Sequence, residues 1–140
     1  MVRPLAHSDI PGWILIFSGI LSLLGLFVGI SLYISPGTFI KVVNFAAAGT
    51  MYITKMWAAR QVAIAAVIGA ATVRRSPVML RTGLLIYCLM NLQDILIGLH
   101  EHDKALASGA AVFFLLSGVM TVMLLRRERR DAPGGRRKPA

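Results

Sequence analysis

The sequence predicts an all-α fold, an integral membrane four-helix bundle with both termini in the cytoplasm. Three observations predict it. Apolar residues make up 56% of the 140-residue chain and gather in long runs, a pattern foreign to a soluble domain of this size. Two of these runs, 10–40 and 105–125, carry no full charge and are long enough to cross a bilayer, which takes about 20 apolar residues. Two weaker runs, 51–73 and 78–99, with Lys55 and Arg81 near their ends, span only if each tolerates one deeper charge. Those charges are Arg60 and Asp94.

Orientation follows from the cations. The net charge of +9 is concentrated: Arg3 precedes the first span, Arg74, Arg75 and Arg81 flank the second connection, and Arg126, Arg127, Arg129, Arg130, Arg136, Arg137 and Lys138 follow the last. With four spans all of these lie on one side, opposite Lys41, Lys55 and Lys104, and the positive side is the cytoplasmic one. The basic balance therefore reports topology, with some attraction to anionic headgroups, and no nucleic-acid partner is predicted.

Taken in order, Pro11-Gly12-Trp13 starts the first helix, about 12–34, with Trp13 suited to the interface. The run is too long for a secretory leader and is read as a retained helix. Ser18, Ser22, Gly25 and Gly29 share one face, so another backbone can approach closely. Packing within the bundle is the first expectation; a homodimer or membrane-complex partner through Gly25 and Gly29 is the second. Pro36-Gly37 breaks the helix, and residues 35–50, too apolar for a solvated loop, are expected to lie along the outer surface or to cap the bundle.

The second helix, about 51–73, is alanine-rich, and the stripe Ala59, Ala63, Ala66 and Ala70 is expected to carry its packing. Arg74-Arg75-Ser76-Pro77 makes a tight turn, with Pro77 suited to the first position of the third helix, about 78–99. Residues 100–104 form a short polar connection to the fourth helix, about 105–125. Residues 126–140 have the composition of a basic disordered tail, which leaves 1–125 as the transmembrane domain.

Function should concentrate where charge meets hydrocarbon, because an ionisable side chain there is costly and usually pairs or lines a polar cavity. The second and third helices run antiparallel from a tight turn. Arg60 and Asp94 therefore lie at depths that differ by about 6 Å at 1.5 Å per residue, both in the outer half, and an Arg60–Asp94 ion pair is predicted. Tyr87, Asn91, Asp94 and Gly98 form a polar stripe on the third helix. Trp57, Arg60 and Gln61 form the corresponding patch on the second, while Gln93 is expected to face another helix.

These groups either close on one another as structural glue, line an outward-facing ligand pocket, or mark a proton or substrate pathway. In the pocket reading the ligand-binding residues are Arg60, Asp94, Asn91, Gln61, Tyr87 and Trp57. Arg60 would hold a carboxylate or phosphate, Asp94 would orient Arg60, and Trp57 and Tyr87 would be the walls. No catalytic residue, metal or cofactor is implied. His100 and His102 lie in a connection, Glu101 to Asp103 lack a distant ligand, and the one cysteine, Cys88, permits no intramolecular disulfide.

A first helix ending at Pro36-Gly37, the segment Trp57-Ala-Ala-Arg60-Gln61 and the segment Asn91-Leu-Gln-Asp94 resemble the DoxX-like small four-helix bacterial membrane proteins of unknown function. The resemblance spans residues 12–125 and implies a multi-pass protein of the bacterial inner membrane. Relatives of this group often carry an acidic residue where this chain has Gln61. The wider group resembles sterol isomerases and sterol-binding receptors, whose pocket histidine has no counterpart here, so isomerase activity is not implied. Other members are associated with membrane redox complexes. The expected function is therefore non-enzymatic binding of a small lipophilic or amphipathic molecule, with an assembly subunit or a proton-coupled exporter as alternatives.

Overall fold

The computed structural model describes residues 10–39, 47 and 49–131. Among them are four long helices, α1 (Gly12–Ile34), α3 (Thr50–Val73), α4 (Pro77–His100) and α5 (Lys104–Asp131), and a short helical turn, α2 (Pro36–Phe39). All four long helices are long and apolar enough to cross a membrane, with mean hydropathies of 2.4, 1.5, 1.5 and 2.1 over their best windows. Large apolar side chains, among them Leu23, Ile34 and Val73, point away from the bundle, as a hydrocarbon environment requires. The fold is thus an all-α bundle of multi-pass membrane type.

Two antiparallel pairs build it. In the α1/α3 pair, small residues bring the backbones together. A Cβ added at Gly25 would lie 2.9 Å from the Ala65 Cβ, and one at Gly29 would lie 2.7 Å from a Val62 methyl and 3.1 Å from the Ala58 carbonyl oxygen. Ser22 Oγ donates to the Ala65 carbonyl at 2.8 Å, and Ser18 Oγ and Thr72 Oγ1 are 2.8 Å apart. Such small-residue faces with interhelical hydrogen bonds are the usual means of helix association in lipid. The face bearing Gly25 and Gly29 is therefore filled by α3 of the same chain, and in this fold it is not open to a partner.

The packing stripe of α3 is Ala58, Val62, Ala65, Gly69 and Thr72, whereas Ala59, Ala63, Ala66 and Ala70 all point outward. This corrects the expected stripe by one residue, about 100° on the helix. Both stripes consist of small residues at spacings of three and four, so residue size alone could not separate them.

The second pair is α4/α5. Gly98 lies against Ala107, whose backbone nitrogen would be 2.7 Å from an added Cβ, and Cys88 Sγ, a buried thiol, donates to the Phe114 carbonyl at 3.6 Å. Arg81 forms an ion pair with Glu128. Here the structure extends α5 past the expected end at residue 125, through Asp131. Glu128 interrupts the run of arginines, and cations suit the negative end of a helix dipole. Residues 132–140, which complete the expected tail, lie outside the described residues.

The two pairs join through α3 and α4. Ser76 caps α4, accepting from the Met79 backbone at 3.5 Å, and Pro77 occupies the first turn. Beyond that turn Gly83 admits Ile68, whose side chain would be 3.1 Å from an added Cβ. At this end, which carries the arginines, Ile14, Leu21, Ile64, Ile68, Leu80, Leu84, Met120 and Leu124 form a continuous core. At the opposite end Asp103 Oδ1 caps α5, accepting from Ala105 and Leu106 at 3.0 Å each. Of the segment 35–50 expected to lie along the outer surface or cap the bundle, Pro36–Phe39 form α2, while residues 40–46 and 48 lie outside the described residues.

Candidate functional site

Large buried side chains fill the arginine-rich half of the bundle, and a cavity occupies the other half. The four long helices enclose it, and its volume is about 230 Å³. Leu24, Gly25 and Val28 of α1 form one wall and Ala105, Leu106, Gly109, Ala110 and Phe113 of α5 another, while Gln61, Tyr87, Asn91 and Asp94 supply the polar side. Leu24, Ala105 and Gly109 are exposed, so the cavity opens outward along the seam between α1 and α5. Tyr87 belongs both to the apolar core and to the cavity lining, which makes it the floor.

The polar stripe of α4 arises from helical spacing. Tyr87, Asn91 and Gly98 are buried and Asp94 is half-buried, so one side of α4 presents phenol, amide, carboxylate and glycine in sequence toward the bundle. Asn91 Nδ2 donates to the Tyr87 carbonyl at 2.8 Å. The Tyr87 ring meets Phe113 edge-on at a centroid distance of 6.2 Å, which joins α4 to α5 at the floor. Gln61 approaches from α3.

Four of the six residues predicted for a pocket thus line one cavity: Gln61, Tyr87, Asn91 and Asp94. Arg60 and Trp57 do not. Arg60 is exposed, and Trp57 is partly buried one turn beyond Gln61. Gln93 is exposed on the outer surface of α4, not turned toward another helix of the chain.

The predicted Arg60–Asp94 ion pair does not close. Among the described residues the ion pairs are Arg81–Glu128 and the 3.9 Å contact of His100 with Glu101, and Arg60 acts on Asp94 only through its field. The reason is geometric. Arg60 lies seven residues from Val67, and Asp94 eleven from Gly83, where α3 and α4 touch. Both charges therefore sit on the stripes the two helices turn toward each other, but offset by about 6 Å along the axes, and Arg60, exposed and outside the cavity lining, does not reach across.

Sequence reasoning missed the walls. Gly109, Ala110 and Ala105 carry no chemistry of their own, and their signal is small size on an α5 stripe facing the polar stripe of α4. Gly109 is distinctive because an added Cβ there meets nothing within 4 Å. No cluster of three or more His, Cys, Asp or Glu suited to a metal occurs among the described residues. Comparisons with protein-family models, curated proteins and solved structures return no match.

Proposed function

We propose that this chain is a non-enzymatic membrane protein that binds a small lipophilic or amphipathic molecule in the cavity between α1, α3, α4 and α5. The carrying observation is the lining itself, a polar side made of Gln61, Tyr87, Asn91 and Asp94 facing apolar walls from α1 and α5 within a membrane-type bundle. Pockets that bind such molecules are mostly apolar with a few convergent polar groups. The glue reading would have these groups satisfy one another, yet Asp94 has no hydrogen-bond or ion-pair partner among the described residues.

The DoxX-like motifs and the arginine distribution supply the setting. In this reading the protein lies in a bacterial inner membrane with both termini and the α3–α4 turn in the cytoplasm. The cavity then belongs to the outer half of the bilayer, and its seam between α1 and α5 faces lipid. Native mass spectrometry of the protein released from nanodiscs tests the reading. Co-purifying or added lipophile should stay bound to the wild type and be lost from Gly109→Leu, whose side chain occupies the cavity. Equal retention by both proteins would refute it.

A further inference from the structure

The charge balance of the cavity separates two classes of amphipathic ligand. Among the described residues the lining contains one carboxylate, Asp94, and no lysine, arginine or histidine. Arg60, the group expected to hold an anion, stands outside the lining and is exposed. An anionic head group drawn into this space would meet Asp94 without a cation in contact, at a repulsive cost that low dielectric raises. A cationic head would meet a carboxylate that no side chain hydrogen-bonds or pairs with among the described residues.

The remaining polar groups fit the same polarity. Asn91 donates one Nδ2 proton to the Tyr87 carbonyl, and its amide oxygen, which receives no donor among the described residues, can accept from a ligand. Gln61 offers a second amide oxygen. Tyr87 and Phe113, paired edge-to-face at the floor, present aromatic surface, which attracts ammonium groups. The walls from Leu24, Val28, Leu106 and Phe113 accept a hydrocarbon portion, and the seam between α1 and α5 lets a longer chain extend out of the bundle.

We infer that the cavity binds a lipophilic cation, with its ammonium group against Asp94 and the Asn91 and Gln61 amide oxygens and its hydrocarbon toward α1 and α5. The inference rests on the cavity reading above and names its ligand class. It reverses the head-group polarity that Arg60 suggested in the sequence, because the structure puts the acid, not the base, in the lining.

The test compares three probes of equal chain length, decylamine, decanol and decanoate, on the full chain in nanodiscs of zwitterionic lipid at neutral pH. Binding is read by native mass spectrometry and by the shift in melting temperature. Decylamine should bind wild type at least about tenfold more tightly than decanol, with decanoate weaker still, which is the scale of one charge-assisted hydrogen bond. Asp94→Asn should remove the preference for the amine, so that decylamine binds no more tightly than decanol, and Asp94→Glu should restore much of it. If decanol binds and decylamine binds no better, or decanoate binds best, the cation assignment falls and the cavity stands. If none of the three binds wild type, the cavity reading itself falls. The wild-type series decides the question even where Asp94→Asn fails to fold.

Discussion

Arg60 and Asp94 lie on the two stripes that α3 and α4 turn toward each other, but only Asp94 reaches the cavity, and the two side chains act on each other through space without contact. Proximity in depth is therefore not pairing. The acid lines the cavity, where a ligand can reach it, while the base remains outside the lining.

Arg60→Gln tests this division of roles. In the cationic reading the guanidinium opposes the ligand, so its removal should tighten decylamine binding by about 1 kcal/mol, the scale of a charge pair at several ångströms in a partly solvated setting. An anion clamp built on Arg60 would instead lose its ligand. Titration of decylamine and decanoate against this variant in nanodiscs distinguishes the two, and loss of decylamine binding would contradict the arrangement.

Gly109→Leu should fill the cavity without disturbing the helices, because an added Cβ at this position meets nothing within 4 Å. Replacing glycine inside a helix also removes a penalty of about 1 kcal/mol. Without ligand the variant should melt at or above the wild-type temperature, and added lipophile should shift it no further. A lower melting temperature would mean that position 109 is packed.

The α1/α3 interface gives a paired contrast. Gly29→Ala forces a methyl into the Val62 side chain and the Ala58 and Val62 backbone, with contacts of 2.7 to 3.1 Å, and overpacking of this kind costs about 1–3 kcal/mol. Gly19→Ala, on the same helix, meets nothing within 4 Å and should be neutral or mildly stabilising. Unfolding in a series of mixed micelles with increasing denaturing detergent measures both. Similar losses at the two positions would show that helix propensity, not the close approach, governs α1.

Much of the architecture was legible because lipid-spanning length and the punctuation at Pro36-Gly37 and Ser76-Pro77 are local signals. The polar stripe of α4 was legible for the same reason, since Tyr87, Asn91 and Asp94 share a face by spacing alone. What could not be read was rotation. Ala58-Val62-Ala65 and Ala59-Ala63-Ala66 are both small enough to pack, and the choice between them depends on where Ser18, Ser22 and Gly25 of another helix come to rest. An axial offset between α3 and α4 keeps Arg60 out of the pocket, and Gly109 went unnoticed because an empty space is a property of four helices together. The end of α5 was missed because a run of arginines was read as a solvated tail, while Glu128 reaches Arg81 on α4.

That last contact makes a prediction for the arginine-rich end. Arg81 and Glu128 are both partly solvated, at 26% and 58% side-chain exposure, so their pairing should add little to global stability, about 0.2–1 kcal/mol. Its effect should be local. Glu128 stands in the helical extension that follows the apolar part of α5, where residues 125–130 are all exposed. Glu128→Gln should therefore leave the melting temperature nearly unchanged while speeding hydrogen exchange at the amides of residues 126–131. High salt should reproduce that loss in the wild type, because an exposed pair is screened. Protection unaltered by both the substitution and salt would assign the extension to helix propensity and the dipole rather than to the tie across to α4.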